Sequence, residues 1–540
     1  MATRKTKPAG KRTARKPTKT PGATKRKSGG SLRVRMYRVG FGDFFLIIMP
    51  TPKGDQHILI DCGVFKGTSG TGDLGSIVDA VENLFQTTGG HLSLVIMTHR
   101  HADHIAGFSK APRFKDFTAS MVWMPYWEQF NEKKADSGHK LQPDVQAFAA
   151  NLANVALQLS GGETTDAAKA LAQLGPPNGV DNKDVNAAHN LLVDIQDLAA
   201  NLAIQFRGRE DDDAKEALAQ LGNATGIEDF NAAATDKKKR GGNALALDIL
   251  KNQLGSNGDN VRYYAAGDKA ELPKELKGLK ATILGPPPEK AKAFLALMDL
   301  KKGVGQYLDS MTEGEGGPTA IQPFAKEWFV EAKDYPQQET IDYDKITERV
   351  NTSQPDMLAT AAAKIENFLN NQSLVVLFEF DEKKLLFAGD AQGGNWEYWL
   401  YKTEGPHKDP TQAGDIIETS KEILQTIDFY KVGHHGSTNA TPIPAIEAAI
   451  ARPESNKGFL SMCSTEEGVY GNPDKQTEVP RSLLMEELHK GSCLVRSDAI
   501  EITFTDTATS KKKVIKRNSE LPQPKAGKLT KSKLYIEYAF

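Results

Sequence analysis

Cysteine is scarce in this chain, and its three cysteines are far apart. Cys62, Cys463 and Cys493 are spread over 540 residues with a spacing that matches no zinc-binding motif. Because a disulfide framework needs closely repeated, paired cysteines, the sequence excludes a small disulfide-stabilised secreted protein. We therefore expect a reducing compartment.

Long apolar runs are also missing. No stretch approaches the roughly 20 apolar residues that a bilayer requires, and the N-terminus has no apolar segment suited to a secretory signal. These absences predict a cytoplasmic protein. The chain is nonetheless 39% hydrophobic and 25% charged, an ordinary globular composition, and its length corresponds to about three domains.

Residues 1–30 lack acidic and aromatic side chains. They contain eleven Lys or Arg residues, although the whole chain has a net charge of −1. Such a segment cannot bury a core and is expected to be disordered. It is either a nucleic-acid-binding arm, which would release counterions from phosphates, or a solubilising tail. The candidate contacts of the arm are Arg4, Lys5, Lys11, Arg12, Arg15 and Lys16.

The most informative motif is the sequence THRHADH at residues 98–104. It follows an apolar run and places four potential ligands within six residues: His99, His101, Asp103 and His104. Imidazole and carboxylate groups are ligands that zinc and similar ions prefer. A loop can direct the two histidines to one ion and the Asp-His pair to another. The sequence therefore predicts a metal site here.

Further potential ligands follow three other short apolar runs. Each run has the pattern of a buried strand, and the residues after these runs are Asp61, Asp390, and the pair His434 and His435. Side chains at the ends of several strands can converge at one edge of a sheet. Taken singly, Asp390 is more typical of a turn before a helix, and either histidine of a surface or a core, so the prediction depends on the joint pattern.

The order of these motifs resembles that of the metallo-β-lactamase-fold hydrolases, and more narrowly the hydrolase domain of ComEC-type competence proteins. Five segments carry the resemblance: VGFGDFFLI at 39–47, ILIDCG at 58–63, THRHADH at 98–104, FAGDA at 387–391 and KVGHHGS at 431–437. It implies an α/β fold, an αββα sandwich of two mixed sheets with a large helical insertion. It also implies a hydrolase with two divalent metal ions.

The resemblance further implies which residues hold which ion. One bridge and two ligand sets are expected: Asp390 as the bridge, His99 and His101 for the first ion, and Asp103, His104 and one of His434 and His435 for the second. We expect zinc, with manganese or iron as alternatives. Two such ions can share a hydroxide and hold the oxygens of an in-line displacement.

Two carboxylates are given catalytic roles, and three positions depart from the family. Asp103 is a candidate to orient the hydroxide, and Asp61 is interpreted as an acceptor that fixes a ligand imidazole.

Phe41 stands where the family often has Gln, and Asn472 where it often has His. The sequence NNQSL at 370–374 takes the place of a further histidine, which predicts a first ion with an incomplete set of protein ligands.

The segments that match the family are separated by chain of different composition. Residues 131–258 are rich in Ala, Leu, Gln and Asn at helical spacing and predict a helical insertion. The sequence DAAKALAQLG at 166–175 recurs as DAKEALAQLG at 213–222, which suggests a duplicated helical hairpin. The insertion could form a lid or a docking arm for a protein partner, but we favour a passive elaboration.

Seven parts are expected along the chain. In order they are a basic tail (1–30), the first part of the main fold (31–130), the helical insertion (131–258), strands of the main fold (259–290), a helical or irregular insertion (291–367), the second part of the main fold (368–505), and a basic linker with a possible terminal strand (506–540). An edge strand is expected within residues 31–49, a helix from Ile105, and a strand of the second sheet at 499–504.

Three functions are compatible with the sequence. A phosphodiesterase or nuclease is favoured by the motifs and by the basic tail, which could hold DNA or RNA. A hydrolase of a small ester, lactone or phosphoester is the first alternative, because one fold hosts many chemistries. A binding or regulatory protein with structural metals is the second, although the complete ligand set argues against it. The sequence thus predicts a metal-dependent hydrolase of phosphodiester bonds.

Overall fold

The computed structural model describes most of the chain outside the two expected insertions. The described residues are 30–65, 75–131, 219–220, 222–224, 226, 242–295, 369–407, 414–451, 459–471, 478–505, 512–517 and 522–540. The basic tail and most of both expected insertions, including the first copy of the repeat, lie outside these residues. Their expected structures stay predictions.

The described part of the chain is a mixed α/β fold, as the sequence predicts. Its strands are β1 (Arg33–Tyr37), β2 (Phe44–Thr51), β3 (Gly54–Cys62), β4 (His91–Leu92), β5 (Leu94–Ile96), β6 (Thr118–Ala119), β7 (Val122–Pro125), β8 (Val261–Tyr264), β9 (Lys280–Gly285), β10 (Val375–Phe380), β11 (Lys383–Phe387), β12 (Phe429–Lys431), β13 (Phe459–Cys463), β14 (Ser492–Arg496), β15 (Ile500–Thr505), β16 (Lys512–Arg517), β17 (Lys528–Lys531) and β18 (Tyr535–Ala539).

The α-helices lie between the strands along the chain. They are α1 (Ile77–Thr88), α2 (Ala102–Lys110), α3 (Gly242–Asp248), α4 (Gly393–Tyr401), α5 (Glu418–Thr426), α6 (Ile443–Ile450) and α7 (Ser482–Gly491). A π-helical segment, Ile249–Leu254, continues α3. None of the helices in the described ranges has the length and apolarity that a membrane span requires.

The first sheet has eight strands in the order β17-β18-β1-β2-β3-β5-β7-β8. β1 to β3 are antiparallel neighbours, whereas β3, β5, β7 and β8 run parallel. The prediction that β1 is an edge strand is wrong, because β18 pairs with its outer side in the register Arg33↔Ala539 to Tyr37↔Tyr535. The end of the chain thus covers the first strand.

The second sheet has six strands in the order β14-β13-β12-β11-β10-β9, with β11 to β14 parallel. Residues 499–504 were expected to form a strand of this second sheet, and that prediction is wrong. They lie largely in β15, which pairs with β16 in a separate two-stranded sheet. The basic stretch after residue 506 is also more than a linker, because it contains β16 and β17. Lysine is common on edge strands such as β17, so a basic composition does not exclude strands.

The two large sheets share one apolar core. Phe45 and Ile47 of β2 are buried in it together with Phe378 and Phe387 of the second sheet, and the Phe45 and Phe387 rings are 5.9 Å apart. Successive strand residues face opposite sides, so Leu46 of β2 packs instead against α1, α2 and α3. Helices α4 to α7 cover the outer face of the second sheet.

Helix α2 begins earlier than the predicted start at Ile105. It spans Ala102–Lys110 with His101 as the preceding cap residue, so Asp103 and His104 lie in its first turn. A carboxylate in the first turn is stabilised by the helix dipole, which accounts for the earlier start. The second half of the THRHADH motif is therefore helical, and the helix fixes the direction of its side chains.

Candidate metal centre

The ends of parallel strands in both sheets bring the predicted ligands together. In the first sheet, Asp61 lies at the end of β3 and His99 follows β5. In the second sheet, Asp390 follows β11 and His435 follows β12. Carboxyl ends of neighbouring parallel strands lie at the same edge of a sheet. Because the sheets share a core, these two edges meet.

Four buried side chains form the middle of this cluster, and we call them the four-ligand group: Asp103, His104, Asp390 and His435. One nitrogen or oxygen of each lies within 4.8 Å of the others. His435 Nε2 is 3.1 Å from Asp103 Oδ2, and His104 Nε2 is 3.0 Å from Asp390 Oδ2. Ligand atoms about 2.1 Å from one tetrahedral zinc ion lie roughly 3.3 Å apart. The separations therefore suit one divalent ion.

Hydrogen bonds decide which nitrogen each imidazole presents to the group. His104 Nδ1 is 2.7 Å from Asp61 Oδ2, and His435 Nδ1 is 2.8 Å from the carbonyl oxygen of Ser464. Thr98 holds Asp61 in turn, because its backbone N–H and its hydroxyl donate to the two carboxylate oxygens at 2.8 and 2.6 Å. The Nε2 atoms of His104 and His435 are thereby left to face a metal ion. Asp61 lies at the position that an acceptor for the His104 imidazole must have.

Three atoms of the four-ligand group are buried without a hydrogen bond to any described residue. They are Asp103 Oδ1, His104 Nε2 and Asp390 Oδ2; the last two lie 3.0 Å apart and form an ion pair when His104 is protonated. A buried polar atom that lacks a partner costs about 1–3 kcal/mol, and more when it is charged. A divalent cation would satisfy all three, and carboxylate with imidazole suits zinc, manganese or iron. The group can therefore bind a metal ion.

Carboxylates give this buried region an excess of negative charge. Asp43 and Asp61 add to the two carboxylates of the four-ligand group, and all four side chains are at most 2% exposed. Burial lowers the pKa of His104, but the carboxylates of Asp390, Asp61 and Asp43 outweigh burial and raise this pKa well above its usual value. The carboxylates that stabilise a proton on His104 would stabilise a metal ion bound there in the same way. The electrostatics thus favour a bound cation.

Lys431 and Asp43 belong to the cluster although the sequence interpretation gave them no role. Lys431 Nζ forms an ion pair with Asp43, donates to the carbonyl of Gly389 at 3.0 Å, and lies 3.4 Å from Asp390 Oδ1. Burial opposes its charge, but the Asp43 and Asp390 carboxylates raise the pKa of Lys431 above its usual value. Lys431 therefore stays charged and faces one oxygen of Asp390, while Oδ2 faces the other ligands.

A signal in the sequence could have identified both residues. Asp43 is the one acid within the apolar segment 39–49, and Lys431 stands among apolar residues at the end of β12. A charged side chain inside an apolar run is expected to be buried, and a buried charge needs an opposite charge nearby. Asp43 and Lys431 satisfy each other.

The two ligands predicted for the first ion lie beside the four-ligand group, and we call them the histidine pair: His99 and His101. His99 Nε2 is 3.0 Å from His101 Nδ1, and the His99 and His104 ring centroids are 4.1 Å apart. Burial, followed by the neighbouring His104 and His101, lowers the pKa of His99 well below its usual value. This imidazole is therefore neutral, which is the form that binds metals.

The adjacent histidines after β12 have different partners. His435 lies in the four-ligand group, whereas His434 Nδ1 is 2.8 Å from Asn439 Oδ1 and 2.7 Å from Ser437 Oγ. Both residues have positive φ angles, 42° and 51°, and this turn directs the two rings apart. The structure thus brings His435 to the other ligands and leaves His434 at the rim.

Some of the positions at which the sequence departs from the motifs it resembles lie within the described residues. The Phe41 ring lies 4.3 Å from the His435 ring, between centroids, and packs with Phe65 in a small buried apolar cluster. An apolar side chain therefore covers His435 where the family often has an amide. Asn472 and the six basic residues assigned to the nucleic-acid-binding arm lie outside the described residues, so their roles stay predictions.

Comparison with known proteins does not identify the chain. No protein-family model matches it, and no curated protein matches it either. The inference of function therefore depends on the geometry of the metal centre and on the order of the motifs.

Proposed function

We propose that this protein is a metal-dependent hydrolase that uses two divalent ions to cleave phosphodiester bonds. The four-ligand group carries the proposal, because two carboxylates and two imidazoles from both sheets place their ligand atoms within 4.8 Å of one another. A second pair of buried imidazoles lies directly beside it. Such a donor set is typical of hydrolytic metal centres.

The proposed fold family is that of the metallo-β-lactamases, in the ComEC-like subgroup. Two mixed sheets with a shared core and helices on both outer faces are what an αββα sandwich requires. The motifs follow one another along the chain in the order of that family. The cluster also lies where the ends of parallel strands of both sheets meet, as a site in this fold should.

In this proposal the four-ligand group would hold the second ion, the histidine pair would hold the first, and Asp390 would serve as a ligand for both. When bound, the two ions would supply an acidified water and a clamp for the oxygens of the displacement. Asp103 Oδ1, which forms no hydrogen bond within the described residues, is the proposed acceptor that orients the attacking water.

The surrounding side chains keep the ligands in position. Asp61 and the Ser464 carbonyl fix the imidazole tautomers, and Lys431 restrains one oxygen of Asp390. Phe41 covers the His435 ring and excludes water from one side of it. Such supporting contacts typically contribute about 10- to 100-fold to metal affinity or activity.

The substrate class is proposed from the charge of the centre. Two divalent ions together with Lys431 would offset the four buried carboxylates, so the loaded centre would no longer repel an anion such as a phosphodiester. The basic tail could hold DNA or RNA near it. A small ester or lactone is the second candidate substrate, favoured by the apolar side chain of Phe41 beside His435 and by Phe65, which packs against Phe41.

Metal analysis and a substrate panel test the proposed function. The purified protein should contain up to two divalent ions per chain and should hydrolyse bis-p-nitrophenyl phosphate, single-stranded DNA, duplex DNA or RNA. Asp103→Asn should abolish that hydrolysis. A protein that binds metal but cleaves only carboxylic esters or lactones would replace the proposal by the second candidate.

Removal of residues 1–30 separates a polymeric substrate from a small one. A nuclease that uses the tail should lose nucleic-acid affinity and much of its salt dependence, while its hydrolysis of bis-p-nitrophenyl phosphate should be unchanged. Unchanged affinity for every nucleic acid after the deletion would exclude the tail from substrate binding.

A further inference from the structure

Part of the expected helical insertion packs directly against the THRHADH segment, residues 98–104, which we call the metal-binding loop. Helix α3 belongs to the described part of this insertion (131–258). Its Ala246 is buried with Ile105 and Phe108 of α2 in one apolar cluster. Two asparagines from the same region, Asn223 and Asn243, are 8% and 2% exposed. Buried amides of this kind need specific hydrogen-bond partners, and both find theirs at the loop.

Asn243 joins the metal-binding loop to the insertion. Its side-chain Nδ2 lies 2.9 Å from the carbonyl oxygen of Arg100, and 3.1 and 3.2 Å from those of Asn223 and Ala224. Arg100 stands between the two members of the histidine pair. Because all three partners are acceptors, the atom that faces them must be the amide nitrogen.

Asn223 makes the complementary contact to the four-ligand group. Its Oδ1 accepts a hydrogen bond from the backbone N–H of Asp103 at 3.2 Å. This N–H lies in the first turn of α2, where the backbone has no partner within the helix. Since Asn243 holds the Asn223 backbone, the two amides form one connected support under both halves of the THRHADH motif.

Two glycines allow the insertion to approach this closely. A Cβ atom on Gly226, where φ is +73°, would lie 2.4 Å from Asn243 Oδ1, and one on Gly242 would lie 2.3 Å from the Gly226 carbonyl oxygen. Any larger residue would push Asn243 away from its acceptors. The junction is therefore shaped for this contact, which a passive elaboration of the surface would not need.

We propose that Asn223 and Asn243 are positioning residues of the metal centre, so that a segment of the insertion sets the geometry of the ligands. The insertion would then be a component of the site and not an appendage to it. The proposal depends on the metal centre of the proposed function and does not depend on which bond is hydrolysed.

Paired substitutions test this role, because Asn223 uses its side-chain oxygen as an acceptor and Asn243 uses its side-chain nitrogen as a donor. Asn223→Asp keeps the acceptor oxygen, whereas Asn223→Ala removes it; Asn243→Asp replaces the donor by an acceptor that faces three carbonyls. We expect Asn223→Ala, Asn243→Ala and Asn243→Asp to weaken Mn²⁺ or Zn²⁺ binding about 10- to 100-fold. Asn223→Asp should stay within about threefold of the wild type, helped by the N-terminus of α2.

Asn252→Ala is the matched control. Asn252 lies in the π-helical continuation of α3, and its Nδ2 bonds to Asp248 within the same helical segment at 2.5 Å. Metal titration calorimetry of the full-length protein gives the affinities, and the visible absorption of the Co²⁺-substituted protein reports ligand geometry. Thermal unfolding in EDTA shows whether each variant folds without metal.

The outcomes separate this proposal from the proposed function. Wild-type affinity in folded Asn223→Ala and Asn243→Ala variants would overturn it, and so would an Asn223→Asp variant as impaired as Asn223→Ala. If both Asn243 variants fail to fold, the Asn223 pair still decides. A wild type that binds metal without hydrolysing any substrate would overturn only the proposed function, whereas a wild type that binds no divalent ion would overturn both.

Discussion

The two halves of the candidate metal centre, the four-ligand group and the histidine pair, differ in how they are constructed. The four-ligand group draws two carboxylates and two imidazoles from both sheets, and each imidazole is fixed through its Nδ1. The histidine pair comes from one short segment of chain, and its two nitrogens face each other at 3.0 Å. We infer that the four-ligand group binds its ion more tightly, and that the histidine pair depends on Asp390 for a third protein ligand.

Asp390 is the residue whose loss should affect both halves. Asp390→Asn removes a negative charge that the two proposed ions share. We expect turnover of bis-p-nitrophenyl phosphate to fall by at least about 1000-fold, because metal ions stabilise the transition state by several kcal/mol. Elemental analysis should show fewer than one ion per chain. Asp381→Asn, in the exposed turn between β10 and β11, is the matched control. One fully retained ion in Asp390→Asn would show that the two halves do not share this ligand.

His435 should be required by the four-ligand group and His434 should not. We expect His435→Ala to lower turnover by about 100- to 1000-fold because a direct ligand is lost, and His434→Ala to change it by no more than about threefold. Steady-state kinetics and metal content of the two variants measure the contrast. Equal losses would mean that the turn after β12 brings both imidazoles to the metals.

The histidine pair should be the weaker half. His101→Ala is expected to leave about one ion per chain, held by the four-ligand group, and to lower turnover by about 100-fold because one of two metals is missing. His91→Ala, at an exposed position in β4, is its control. Complete loss of metal in His101→Ala would reverse the inferred order of affinities.

At Lys431 the main effect of a substitution is expected on the stability of the metal-free protein. Lys431→Met leaves Asp43 and Asp390 without their buried cation, which should cost about 3–5 kcal/mol of unfolding free energy in EDTA. Added Zn²⁺ should restore more stability to this variant than to the wild type, because it supplies the missing positive charge.

A surface ion pair provides the comparison for Lys431. Lys383 pairs with Asp428 at 2.9 Å, but the two side chains are 40% and 28% exposed, so Lys383→Met should cost less than about 1 kcal/mol. Denaturant unfolding with and without metal measures both variants. Equal stabilities of the two variants in EDTA would show that the buried ammonium contributes nothing to the metal-free protein.

The sequence predicted that side chains at the ends of several strands come together, and the structure confirms this for Asp103, His104, Asp390 and His435, because a local pattern places such residues. Asp390 and the THRHADH motif directly follow apolar runs, and parallel strands bring such positions to one edge. Neighbours such as His434 and His435 could not be distinguished, since the direction of each ring depends on two positive φ angles that no pattern specifies. The pairing of Asp43 with Lys431 was not predictable, because the two residues lie almost 400 positions apart in the chain.

Long-range pairing also explains the errors in the fold. Whether β1 is an edge strand depends on residues at the opposite end of the chain, and β16 and β17 become strands through partners that their basic composition does not indicate. The contact of Asn223 with the Asp103 backbone was not predictable for the same reason. A helical pattern shows that an insertion can fold, but not what it touches.

The pairing of β18 with β1 has a consequence during synthesis. Arg33 leaves the ribosome long before its partner Ala539, and at 5–20 residues per second the delay is on the order of half a minute to two minutes. Throughout that interval the outer hydrogen-bonding groups of β1 are exposed and can pair with another nascent chain. We therefore expect β1 to be most prone to intermolecular pairing before β18 has been synthesised.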